Sequence, residues 1–115
     1  MTIEEYLIEK LSEEVAPAYA EKPEDATGEY LVVDLISNSV RNCLGEATIA
    51  VRSYADSLAE ASDLNLLVRR YMDSFWTDPK VSRCKVSTEY PLNSFAMMQY
   101  RYQCIYDITH YFTED

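Results

Sequence analysis

Met98-Gln-Tyr-Arg-Tyr-Gln-Cys-Ile-Tyr-Asp-Ile-Thr-His110 is the stretch on which the fold turns. Its even positions read Met98, Tyr100, Tyr102, Cys104, Tyr106 and Ile108. Its odd positions read Gln99, Arg101, Gln103, Ile105, Asp107 and Thr109. Successive side chains of a strand point to opposite faces. An alternation sustained this long predicts an antiparallel strand with one buried, tyrosine-rich face. Upstream, Val81 to Tyr90 repeats the pattern: Cys84, Val86, Thr88 and Tyr90 share one parity, and Arg83, Lys85, Ser87 and Glu89 the other. Pro91 to Ala96 connects the two.

Before this pair the period changes from two to nearly four. Ser53 to Phe75 places Leu58, Ala61, Leu64, Val68, Met72 and Phe75 at spacings of three or four, and Leu67 and Tyr71 broaden that stripe. This predicts an amphipathic helix. Its acids lead and its arginines trail, as a helix dipole favours. Further upstream, Tyr30 to Ile36 is β-branched and too short for a helix. It reads as a strand in the sheet interior, since both parities are largely apolar. Ser37-Asn-Ser39 reads as a turn. Val40 to Gly45 reads as a hairpin tip or the start of the partner strand, and Glu46 to Tyr54 as that partner. A connection this long can project from the domain and carry contacts. At the N-terminus Ile3, Leu7, Leu11 and Val15 recur every four residues, Thr2 and Glu5 form a capping-box pattern, and Pro17 ends the helix. Glu21 to Glu29 reads as an exposed loop.

The order is helix, two strands, helix, two strands. The simplest packing is an α+β domain over residues 1–115: a single four-stranded, mostly antiparallel sheet with two helices on one face.

Composition agrees with one domain. Of 115 residues 48% are apolar, enough for a core that needs no metal or disulfide. No run of about 18 apolar residues predicts a membrane span. Met1–Lys10 lacks a basic leader region, so the reading expects a cytoplasmic chain. Cys43, Cys84 and Cys104 are odd in number and lack metal-type spacing, so buried thiols are expected. The net charge is −10. Residues 1–29 hold nine acids against Lys10 and Lys22, a balance of −7, and the remainder carries −3. Charge of this sign repels phosphate and disfavours specific nucleic-acid binding.

No catalytic constellation emerges. His110, the one histidine, shares a parity with Cys104, but six residues of strand separate them by roughly 20 Å. The carboxylates Glu4, Glu5, Glu9, Glu13 and Glu14 crowd one helix and read as a solvated face. There is no glycine-rich phosphate loop and no calcium loop. The expectation is a non-enzyme without cofactor or metal. The ten tyrosines leave core and interface both open for Tyr100, Tyr102 and Tyr106.

A family resemblance adds a role. An alanine-rich helix follows a strand ending in Arg52-Ser-Tyr-Ala55 and contains Glu60-Ala-Ser-Asp-Leu64. With Tyr100-Arg-Tyr-Gln-Cys-Ile-Tyr-Asp-Ile-Thr-His-Tyr111, Val15-Ala-Pro-Ala-Tyr19 and Tyr30-Leu-Val-Val-Asp34, it resembles the tail-terminator (tail-completion, minor tail) proteins of siphophages and prophages, over residues 3–111. The resemblance implies a fold like the lambda-type tail terminator. It also implies a homo-oligomeric, hexameric ring that caps the tail tube and docks to the head. The partners implied are the major tail tube protein and a head-connector protein. The site would be the bacterial host cytoplasm during assembly and the virion tail thereafter. Closed rings join unlike faces of successive subunits. Candidates for those contacts are Ser37, Asn38, Ser39, Arg41 and Asn42, and the polar parity Gln99, Arg101 and Gln103. A negative inner wall would pass DNA without holding it. Two other readings compete: a different head–tail joining or minor capsid protein, and an acidic DNA-mimic inhibitor.

Overall fold

A computed structural model describes residues 2–24, 27–42, 44–92 and 100–111, and of Trp76 the backbone only. Thr2 and Ser57 each begin a helix in the same way. Thr2 Oγ1 accepts from the Glu5 amide at 3.1 Å at the start of α1 (Ile3–Glu14), and Ser57 Oγ accepts from the Glu60 amide at 3.2 Å at the start of α2 (Leu58–Asp73). Each cap satisfies an amide that the helix leaves without a partner. α1 stops where the Val15 and Ala16 amides both turn back to Leu11 O, just before Pro17. α2 runs on into a 3-10 turn, Ser74–Thr77.

The strands are β1 (Ala18–Tyr19), β2 (Tyr30–Arg41), β3 (Leu44–Ala55), β4 (Val81–Leu92) and β5 (Tyr100–His110). They form one sheet in the order β1-β2-β3-β5-β4. β1 is parallel to β2; the remaining pairs are antiparallel. Ile3, Tyr6, Leu7 and Leu11 of α1 and Leu64, Val68 and Met72 of α2 join one buried cluster with Leu31, Val33, Ile49, Val51, Cys104, Tyr106 and Ile108. Those sheet residues share a face, so both helices cover the same side. Each such side chain is worth roughly 1.5–3 kcal/mol when withdrawn from water, and this face is the main source of cohesion.

The α+β architecture with both helices on one face agrees with the sequence reading. The strand count does not: among the described residues the sheet has five strands and is mixed. β1 is two residues long, too short to leave a period. It forms because Pro17, which ends α1, also presents its carbonyl to the Leu31 amide at 2.8 Å. Ser37-Asn-Ser39 is not a turn. β2 continues through it to Arg41 with a bulge between Leu35 and Ser37, and the reversal occurs at Asn42, whose φ of 52° is the left-handed conformation of a tight hairpin. The segment Val40 to Gly45 holds both options: Val40 and Arg41 end β2 at the hairpin tip, and Leu44 and Gly45 begin the partner strand β3.

The second helix begins at Leu58 and not at Ser53, because Ser53 is buried in β3 opposite Tyr102. Leu58 and Leu67 are exposed, and Asn65 is buried in the stripe instead, held by Glu89. In β4 a bulge between Val86 and Thr88 shifts the parity. Glu89 therefore turns towards α2, where it accepts from Asn65 at 3.0 Å and Arg69 at 2.9 Å, while Tyr90 turns to the opposite face.

Candidate functional site

The helices leave two features uncovered: the far end of the β2–β3 hairpin, and the sheet face opposite the core. The hairpin end follows from register. β1 pairs only with Leu31 and Val32. Beyond them β2 has β3 on one side and, among the described residues, no strand on the other. An antiparallel strand turns alternate backbone groups outward, so this stretch presents an open edge. From Ile36 to Asn42 every residue of the arm is exposed, including the apolar Ile36 and Val40 at 54% and 58%.

Near its tip the inner side of the arm is packed. Gly45 lies opposite His110 in the β3–β5 ladder, and Val81 lies on the other side of His110. The His110 ring is fully buried against Gly45, and its Nε2 is 3.3 Å from Asn38 Oδ1. Burial holds the imidazole pKa below its ordinary value. A side chain at position 45 would occupy the ring's own space, since a Cβ there would stand 2.2 Å from His110 Cε1.

On the open face a polar ladder crosses four strands. Arg52 donates to Asp34 at 3.1 Å and to Gln103 at 2.9 Å, and Gln103 Nε2 donates to the Tyr90 hydroxyl at 2.6 Å. Arg52 and Asp34 are partly solvated, so their ion pair contributes little to stability. Its effect is to orient the buried Gln103. Tyr30 and Tyr54 stack nearby with centroids 4.6 Å apart, and burial pushes the Tyr30 phenol up to about 12. Towards the arm the same face hollows into a trough of about 440 Å³. Ser37 and Ser39 form one bank and Arg83 and Lys85 the other, with Glu46, Thr48, Asp107 and Thr109 between them. Thr48 donates to Asp107 at 3.2 Å.

Of the residues expected at contacts, Ser37, Asn38, Ser39, Arg41 and Asn42 all lie on the arm. Arg101 and Gln103 lie on β5, between β3 and β4. Gln103 is committed to the ladder, and Arg101 lies 6.0 Å from the centre of the Tyr54 ring. Gln99 lies outside the described residues, as does Cys43. Sequence reasoning placed Val40 only within a projecting contact segment, Val40 to Glu46, and missed Ile36, Arg83 and Lys85. The available signal was an apolar pair flanked by polar residues, and two bases two residues apart in an acidic chain. Burial drives the Cys84 thiol up to about 12 and raises Cys104 as well, so both stay protonated and weakly nucleophilic at neutral pH. Among the described residues no group of three or more His, Cys, Asp or Glu is placed to hold a metal ion. No helix is long and apolar enough to cross a membrane.

No family model matches the chain, and no curated protein matches it.

Proposed function

We propose that this chain is a ring-forming structural protein of a tailed bacteriophage or prophage, of the tail-terminator kind, which caps the tail tube and joins tail to head without catalysis. The observation that carries the reading is the β2–β3 arm. Its outer strand β2 offers an open edge with Ile36 and Val40 exposed, while β3 holds it to the sheet and a buried His110–Asn38 contact anchors it near the tip. An arm of this kind is suited to reaching a neighbouring subunit, and a contact between unlike surfaces closes into a ring when the rotation permits. The one-sided placement of the helices also fits the terminator-like architecture that the sequence resembles.

In this reading the ring sits on the major tail tube protein and offers its other side to a head-connector protein. It is made in the host cytoplasm and ends in the virion at the head-proximal end of the tail. The net charge of −10 suits a lumen that DNA crosses by repulsion. The test is the solution mass by light scattering with negative-stain microscopy. Rings of six, with a mass about six times the 13.3 kDa of the chain, are expected. A chain that stays monomeric at every concentration and does not bind tail tubes refutes the proposal. Tight capture of a nuclease or DNA-binding protein without rings would favour the acidic DNA mimic.

A further inference from the structure

The ring reading leaves open which surface meets which. Charge is distributed unevenly over this fold. The exposed side of α1 carries Glu5, Glu9 and Glu13 at intervals of four, which places them in one stripe. The sheet edge β4 carries Arg83 and Lys85, both exposed and both on the open face, opposite Thr109 and Asp107 of β5. No acid occurs between Pro79 and Thr88, in a chain whose net charge is −10.

Among the described residues neither set forms an ion pair within the subunit. The ion pairs Arg52–Asp34 and Arg69–Glu89 use none of these five residues. Asp107, directly across from Lys85, accepts the Thr48 hydroxyl, and Glu46 lies on β3, beyond β5.

The two sets also match in spacing. Four residues of helix advance about 6 Å. Two residues of strand advance about 6.7 Å. Neither bulge of β4 falls between Arg83 and Lys85, so that interval is regular. A helix laid along β4 can therefore bring successive carboxylates of its stripe to successive bases of the strand.

We infer that the acidic stripe Glu5–Glu9–Glu13 of one subunit docks along the Arg83–Lys85 bank of β4 in a second copy of this chain. The inference rests on the ring reading and deepens it. The contact joins unlike surfaces, so each subunit uses α1 towards one neighbour and β4 towards the other, which is the kind of contact a closed ring requires. Exposed ion pairs are individually weak and are screened by salt, so assembly on this contact weakens as ionic strength rises.

The test uses two full-length variants, Arg83→Glu with Lys85→Glu, and Glu9→Lys with Glu13→Lys, each checked for its fold by circular dichroism. Sedimentation is followed at low and high salt. Wild-type rings are expected to form less readily at high salt, and each variant alone is expected to assemble about tenfold less readily or worse, since like charges then face each other. Mixed in equal amounts, the two variants are expected to form rings again. Every surviving contact is then between the two kinds, so the subunits must alternate, which distinguishable tags on the variants reveal by microscopy. Variants that assemble like the wild type, or a mixture that does not recover, overturn this contact while wild-type rings preserve the ring reading. A wild-type chain that never assembles overturns both.

Discussion

Gly45→Ala tests whether the tip of the arm is packed against His110 as tightly as the geometry requires. The added methyl would stand 2.2 Å from His110 Cε1, 2.6 Å from Nε2 and 2.7 Å from Nδ1. Real carbon contacts do not come that close, so the ring must leave. It is fully buried and bonded to Asn38, so leaving displaces neighbours as well. Overpacking a filled site costs about 1–3 kcal/mol, and loss of the Asn38 contact adds about 0.5–1.5 kcal/mol. The expected total is about 2–4 kcal/mol, a large part of the stability of a domain this size. At about 4 °C per kcal/mol, the melting temperature should fall by roughly 10 °C. Urea unfolding followed by circular dichroism measures it. The decisive measurement is a double-mutant cycle. In a His110→Ala background the space is empty, and Gly45→Ala is expected to cost under about 0.5 kcal/mol, so the two substitutions are strongly coupled. Equal costs in the two backgrounds, or no cost in the native one, would refute the packing argument.

Three further outcomes follow from the same structure. His110 is held below its ordinary pKa by burial, so between its folded and unfolded pKa values the unfolded chain binds more protons. Its contribution therefore reduces stability as pH falls below about 6.5, by at most about 1.4 kcal/mol per pH unit; urea midpoints from pH 8 to pH 5 should show this slope shrinking in His110→Gln. Leu7→Ala removes a fully buried anchor of α1 and should cost about 2–5 kcal/mol by the same denaturation assay. Ile36→Asp combined with Val40→Asp alters exposed arm residues, so the fold should lose no more than about 0.5 kcal/mol; sedimentation should nonetheless show monomers where the wild type gives rings.

The sequence was most legible where a face is buried. Cys104, Tyr106 and Ile108 alternate because α2 lies over them, and Leu64, Val68 and Met72 repeat at helical spacing because they meet that same face. The first cap was legible because Thr2 precedes Glu5 by three residues; Ser57 precedes Glu60 in the same way but was passed over inside a helix read from Ser53. Legibility ended where local chemistry gives way to tertiary demand. Asn65 breaks the apolar stripe of α2 because Glu89 comes to meet it, and Glu89 arrives only through a bulge that no side-chain pattern announces. β1 was hidden for another reason. Two residues carry no period, and their pairing with Leu31 and Val32 depends on a carbonyl of Pro17 that reads, in sequence, only as the end of a helix.

The arm was hidden by the property that makes it a candidate contact. Strand alternation appears in a sequence when one face is dry and the other wet. From Ile36 to Arg41 both faces of β2 are wet in the single chain, so Ser37, Asn38 and Ser39 need not alternate with apolar residues, and their composition imitates a turn. Yet these residues remain in register with Thr48, Ala47 and Glu46 up to a two-residue reversal. Backbone pairing holds the strand together where side-chain burial does not, and His110 beneath Gly45 secures the hairpin near its tip. β5 backs the β3 strand of the arm from Gly45 to Ile49, yet β2 on the outer side keeps apolar side chains at Ile36 and Val40 without covering them. On the proposed ring reading, a further layer from a neighbouring subunit would supply that cover.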